Sequence, residues 1–167
     1  DVAIIGGGAI GAACARELAA SGRRVVVLEQ GGERGQAWKA AAGMLAPQIE
    51  AGPDDPALEL GLAGRELYSS LAESLKETTG LDIGLWQEGI ASVARSEAEA
   101  GELKSRVAWQ RQKSHVCDWL DADEVKVRWP WLGPTNGALW APHEGALEPD
   151  KLVRALLADA VRLGATV

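Results

Sequence analysis

Three glycines, Gly6, Gly8 and Gly11, stand between the apolar run Val2–Ile5 and an alanine-rich stretch that continues to Ala20. No other feature of the chain restricts its fold so sharply. A short, uninterrupted apolar run suits a strand buried on both faces. The glycines mark a tight turn, and Ile10 and Leu18 fall at helical spacing beyond it. Ser21-Gly22 supplies a helix stop, and Val25–Leu28 is a second apolar run closed by Glu29. The result is β-turn-α-turn-β in about thirty residues, close to the minimum for a right-handed parallel crossover.

The glycine spacing G-x-G-x-x-G, with a strand before it and a helix after it, is the context a dinucleotide fingerprint requires. Gly6 permits the turn, Gly8 lets a pyrophosphate approach the backbone, and Gly11 lets helix and strand pack closely. The helix start offers unpaired N–H groups and a partial positive charge to phosphates. Glu29 lies eighteen residues beyond Gly11, where a carboxylate can accept hydrogen bonds from the ribose hydroxyls. Its charge repels a 2′-phosphate, which argues against NADP. NAD and FAD share the fingerprint, so these residues leave that choice open.

Beyond a Gly- and Ala-rich loop over 31–43, a helix is expected over 57–79, with Leu67, Leu71 and Leu75 on its inner face and Gly80 as its cap. Residues 89–94 read as an antiparallel strand. Ser96-Glu97-Ala98-Glu99 spells a capping box that opens a helix to about Gln112. Asp121-Ala122-Asp123-Glu124 starts a short helix ended by Pro130, and 137–141 reads as a strand. Pro149 suits a helix first turn. Leu152, Val153, Leu156, Leu157, Ala160 and Val161 then form an apolar stripe that stops at Gly164. Asp1 runs straight into a strand and 164–167 ends where another should begin, so the chain reads as the front part of a longer protein.

With 17 basic against 24 acidic side chains, the net charge of −7 disfavours a nucleic-acid partner. No apolar stretch approaches the roughly 20 residues of a membrane span. Cys14 and Cys117 lie too far apart for a C-x-x-C pair, and a reducing, cytoplasmic setting is expected. Cys14 reads as a small buried side chain. His143-Glu144 lacks the second histidine of a zinc motif, and His115 with Cys117 is too small a set, so no metal is expected. Among the seven tryptophans, Trp129, Trp131 and Trp140 read as core.

The run Ala40-Ala41-Ala42-Gly43-Met44-Leu45-Ala46-Pro47 resembles the flavin-contacting segment of glycine oxidases of the thiamine pathway, within the D-amino-acid-oxidase-like family of FAD-dependent amine oxidoreductases. Trp119-Leu120-Asp121-Ala122-Asp123-Glu124-Val125 and Gly145-Ala146-Leu147-Glu148-Pro149 resemble the same family in order and spacing. The resemblance implies FAD as cofactor and an α/β fold. A Rossmann-type FAD-binding domain is interleaved with an α+β antiparallel substrate domain, the whole truncated. Residues 1–80 and 144–167 would belong to the FAD domain and 81–143 to the substrate domain. By resemblance, Gly6, Gly8, Ala9, Ile10 and Gly11 hold the pyrophosphate, Glu29 and Gln30 lie at the adenosine ribose, and Ala42, Gly43 and Met44 line the flavin. Small residues also allow a backbone to lie close against a flat ring and tune its electronics.

One departure stands out. Family members carry Ser or Thr shortly before the Ala-Ala-Gly, whereas this chain has Ala37-Trp38-Lys39, with Lys39 read as solvated. The substrate-binding arginine and the aromatic residues over the flavin come from the family's second half, so no catalytic residue is assigned and the chain alone is expected to be inactive. The implied reaction is oxidative deamination of glycine or a similar small amino acid or amine, with oxygen or another acceptor taking the electrons. D-amino-acid dehydrogenase, sarcosine oxidase, a tRNA-modifying flavoenzyme and a non-catalytic nucleotide-binding module are the alternatives, and a homo-oligomer stays open.

Overall fold

The computed structural model describes residues 1–32 and 36–167, so part of the glycine-rich loop lies outside the described residues. The chain runs β1 (Val2–Ile5), α1 (Ala9–Ala20) and β2 (Val25–Leu28), then a 3₁₀ turn at Ala37–Lys39. After it come β3 (Met44–Leu45), α2 (Pro47–Glu50), α3 (Leu58–Thr79), β4 (Ile90–Val93) and α4 (Glu97–Gln112). The rest is β5 (Asp118–Leu120), α5 (Ala122–Arg128), β6 (Ala138–Ala141), β7 (Gly145–Ala146) and α6 (Pro149–Arg162). The expected α/β class and the opening β-α-β unit are therefore present. The expected strands and long helices fall where the apolar runs and caps placed them, whereas β3, α2, β5 and β7 lie in segments that no apolar run or cap marked.

Two compact units form. One comprises Asp1–Met44, Leu67–Leu85 and Ala146–Val167; the other comprises Leu45–Glu66 and Trp86–Gly145. This partition differs from the expected cuts at 80 and 143 chiefly in giving Leu45–Glu66 to the second unit.

In the first unit β1 and β2 pair in parallel, from Val2 with Val25 to Ile5 with Leu28. Thr166 adds a parallel bridge to Val26 on the other edge of β2, so a third strand position opens where the sequence led one to expect it. Ala15 and Ala19 of α1 pack with Val25, Val27, Ala160 and Ala165. These small side chains let α1 and α6 approach closely. The polar tie between the two helices is Asp159, fully buried, which accepts from Arg16 Nε at 2.8 Å and Arg162 Nε at 2.7 Å. Burial alone would raise its pKa, but the Arg162 and Arg16 hydrogen bonds prevail and hold it below the ordinary carboxylate value.

In the second unit β6 lies between β4 and β5, antiparallel to both. Leu139 and Ala141 face one side of β6 and pack with Ala100, Leu103 and Val107 of α4 and with Cys117. Trp140 points to the other side, where the Arg128 guanidinium lies 4.1 Å from its ring. A buried polar group fastens α2 to α3 and α4. The Gln48 side chain donates from Nε2 to Gln110 Oε1 at 3.0 Å and to the Val116 carbonyl at 3.1 Å, and its Oε1 accepts from Arg65 Nη1 at 2.8 Å. Gln110 in turn donates to the Gln48 carbonyl at 2.8 Å.

Several expectations are corrected. Leu67 is 66% exposed: eight residues before Leu75 it has rotated about 80° onto the flank opposite Arg65, leaving Leu75 buried and Leu71 half-buried. Val161 is exposed, while the buried face of α6 includes Asp159. Trp131 is 80% exposed in the turn after α5, so Trp140 fills that core with Trp129 only partly buried. Cys14 is exposed, because Ala12, Ala15 and Ala19 take the inner face of α1. At α4 the Ser96 hydroxyl accepts from the Glu99 amide, but Glu99 reaches back to the Arg95 amide instead of Ser96. The reciprocal capping box occurs at α5, between Asp121 and Glu124.

The Asp159 clamp gives a test. D159N is expected to cost about 2 kcal/mol, since it replaces a buried carboxylate that holds half-buried Arg16 and exposed Arg162 with a weaker, neutral acceptor. The depressed pKa means that this contribution is fully present above the ordinary value of 3.8 and is lost as the pH falls below it through the lower folded-state value. Thermal unfolding of wild type and D159N should therefore show a constant gap above about pH 5 that closes in more acidic buffer.

Candidate nucleotide-binding site

The site grows from the end of β1. Gly6 adopts φ +99°, a conformation that favours glycine, while its amide donates to the Leu28 carbonyl at 2.8 Å. Gly11, on the first turn of α1, lies against that same residue. A Cβ at Gly11 would stand 1.9 Å from the Gly6 carbonyl oxygen and 3.3 Å from Ile4 Cγ2. The turn therefore closes only with glycine at 11. Gly8 is the N-cap of α1, and no side chain among the described residues caps it. The helix start thus keeps unclaimed N–H donors and its positive dipole end.

Glu29 is tied to this turn. Its Oε2 accepts from the Gly7 amide at 2.6 Å and its Oε1 from the Gly31 amide at 3.1 Å. Those two backbone donors, Gly7 first, hold the carboxyl below the usual carboxylate range, so it is ionised at neutral pH. A carboxylate has about four lone-pair sites; the Gly7 and Gly31 amides take two, and the Gln36 side chain and the Gln30 amide also stabilise the charge. Gln30 is exposed next to it, as is Ile10 on the first turn of α1. Ala9 is half-buried beside Gly8.

The second part of the site follows the 3₁₀ turn. Gly43 has φ +75°, and a Cβ there would meet the Leu147 carbonyl oxygen at 2.0 Å and Pro149 Cδ at 2.9 Å. The Leu147 amide donates to the Gly43 carbonyl at 3.0 Å, and β3 pairs with β7 immediately beyond. Ala42 is exposed and Met44 is 49% exposed, an unusual display for a methionine on a paired strand.

These features fit a dinucleotide. The Gly6 and Gly11 contact is a cradle that any Cβ would fill, and the acid stands at the end of β2. Trp38, at the departure noted above, lies against Gly8: its Cδ1 is 3.4 Å from where a Cβ would stand. Lys39 is exposed, with Nζ 5.3 Å over the Trp38 ring, so the stretch presents an aromatic edge and a cation in place of hydroxyls. Sequence reasoning missed the Gly7 and Gly31 amide bonds to Glu29, which no side-chain pattern announces. Among the described residues, no three His, Cys, Asp or Glu side chains converge as a metal site. No helix among them is long and apolar enough to cross a membrane.

G11A is the decisive probe of the turn. Its methyl cannot coexist with the Gly6 carbonyl, so α1 must move away from β1. A loss of stability of about 1–3 kcal/mol, typical of overpacking, should accompany weakened dinucleotide binding in a fluorescence titration. A conservative Ala at Gly101 on α4, where a Cβ meets nothing within 4 Å, is expected to leave that binding unaltered.

Comparison with known proteins agrees with this geometry. The family described as DAO, FAD dependent oxidoreductase, matches residues 1–167. A glycine oxidase of Geobacillus kaustophilus is 39% identical over 167 residues, covering 99% of this chain but 44% of that protein. The bifunctional protein ThiO/ThiG of Synechocystis is 37% identical over 169 residues, 100% of this chain and 24% of its own length. The crystal structure of the Geobacillus kaustophilus glycine oxidase superposes with a TM-score of 0.95, covering 99% of this chain and 45% of that one. The chain thus spans less than half the length of these relatives. With the whole of its length matched, it belongs to the DAO family of FAD dependent oxidoreductases.

Proposed function

We propose that this chain supplies the nucleotide-binding part of an oxidase that deaminates glycine or a similar small amino acid in thiamine biosynthesis. The observation that carries the reading is the coincidence of two features on one chain. A strand-turn-helix built for a pyrophosphate is followed by the glycine-tight, methionine-bearing ribbon at 43–44, and both lie within a chain alike over its full length to glycine oxidase. The ThiO/ThiG likeness supports the thiamine setting.

Bound FAD would supply two-electron oxidising chemistry toward the substrate amine, with oxygen or another acceptor as the terminal oxidant. The chain's own part is to bind and orient. Gly6, Gly8, Ala9, Ile10 and Gly11 place backbone donors and the α1 dipole at the pyrophosphate. Glu29, ionised and fixed by Gly7 and Gly31, accepts from the adenosine ribose beside Gln30 and repels a 2′-phosphate. Ala42, Gly43 and Met44 offer a flat, nearly side-chain-free surface to the ring system, with Met44 toward the substrate. Trp38 shields the turn at Gly8, and Lys39 adds positive charge near the phosphates. The first compact unit is the proposed FAD portion and the second the start of the substrate portion. Cys14 and Cys117 are free thiols, which suits the cytoplasm. No proton-transfer residue is assigned within the chain.

The test is an anaerobic visible spectrum of the holoprotein during addition of glycine. Bleaching of the oxidised flavin band is expected. A band that glycine leaves unaltered redirects the search to D-amino acids or N-methyl amines, and absence of any flavin band rejects the reading. Independently, Glu29→Ala should weaken FAD binding roughly tenfold, the loss of a charge-assisted hydrogen bond, measured by quenching of flavin fluorescence.

A further inference from the structure

The first strand of the ribbon at 43–48 is fastened at both ends, and only one fastening is ordinary strand pairing. At the near end the Leu147 amide donates to the Gly43 carbonyl. Next, β3 pairs with β7. At the far end the chain turns into α2, and there the Gln48 amide donates to a side chain, Glu144 Oε1. Glu144 is the residue just before β7, so the ribbon is closed by a carboxylate where a backbone carbonyl would otherwise stand.

Glu144 is itself rigidly placed. Its carbonyl accepts from the Gly89 amide at 2.9 Å, and its own amide donates to the Ala141 carbonyl at 3.3 Å. The adjacent Gly145 has no room for a Cβ, which would meet the Trp86 carbonyl oxygen at 2.0 Å. The Glu144 side chain is fully buried. Arg65 Nη1 stands 4.0 Å from Oε1, and Oε2 has no hydrogen-bond partner among the described residues. Burial pushes the carboxyl up to about 7, against the opposing pull of the Gln48 amide, Arg65 and the Ile49 amide.

A buried carboxyl with one oxygen unsatisfied is a poor way to stabilise a fold; an apolar residue of similar size commonly does as well or better. The Gln48 amide, however, needs an acceptor at that point, and an apolar residue cannot supply one. The specific service of Glu144 is therefore to the backbone of the 43–48 segment.

We propose that Glu144 is a positioning residue whose carboxyl, by anchoring the Gln48 amide, fixes the backbone of Gly43 and Met44 against the cofactor. The proposal rests on the reading of those two residues as flavin-facing. Gly43 sets one end of the segment through its contact with Leu147, and Glu144 sets the other. With the far anchor cut, α2 is still held through the Gln48 side chain, Gln110 and Arg106, but the Gln48 backbone amide loses its acceptor and the start of α2 its tie to the residue before β7.

E144A, E144D and E144Q in the full-length protein test this. The first readout is hydrogen exchange at the Leu45, Gln48 and Leu147 amides in cofactor-free protein. The second is the FAD dissociation constant together with the shape of the flavin visible band. E144A should accelerate exchange at Gln48 and weaken FAD roughly tenfold, the consequence of losing one buried hydrogen bond, with a shifted flavin band. E144Q keeps an acceptor oxygen at the same reach and should restore both readouts to within about twofold. If E144A does not fold, E144D carries the test: it withdraws the oxygen by one methylene and should accelerate exchange at Gln48. Unaltered exchange in E144A or E144D overturns the proposal. Faster exchange with unaltered FAD affinity and spectrum also overturns it, because the ribbon would then be anchored without serving the cofactor. A wild-type protein that binds no FAD would instead defeat the functional reading, while the exchange data would still decide the anchor.

Discussion

The first unit depends on how closely α1 can approach the end of β1. A Cβ at Gly11 would lie 1.9 Å from the Gly6 carbonyl oxygen, so the helix sits at a distance that only a hydrogen atom allows. That approach sets the start of α1 close beside the turn that leaves β1. It also brings the Gly7 amide within 2.6 Å of Glu29, linking the turn to the end of β2. The proposed pyrophosphate binding and ribose recognition would thus both follow from one steric fit. The alanines at 15, 19 and 160 extend the same logic along the helix, and Asp159 closes the pair with charge-assisted bonds.

The second glycine-dependent approach, at Gly43, has a different character. There the close contact is backbone to backbone, with Leu147, and a paired ribbon replaces the helix start. Glycine removes side chains from the surface a flat ring would meet, while Met44 is left exposed beside it. The departure at Ala37-Trp38-Lys39 modifies the neighbouring turn without filling either glycine contact. An indole edge against Gly8 supplies apolar cover in place of hydroxyl donors.

Much of this was legible in the residues because it rests on local rules. Glycine spacing, apolar runs and caps depend on a few neighbours, so β1, α1, β2, α4, α5 and α6 are readable from their own segments. The misreadings share a cause. Leu67, Val161, Trp131 and Cys14 are apolar side chains whose burial depends on which face the partners leave open, and that is a property of packing. The Ser96 box failed in half because the backbone entering α4 gave Glu99 a nearer donor at Arg95.

The sequence by itself determined the crossover unit, the acid at the end of β2 and the family to which the chain belongs, since each is written in residue types at fixed spacing. Only the tertiary structure decided that Gln48, Arg65, Gln110 and Glu144 meet in one buried group, for they are separated by up to 96 positions. The same holds for the ribbon that Glu144 closes. Short strands and buried polar contacts carry no periodic signal, because their stability comes from partners distant in the chain, and a partner's position exists only once the chain has folded.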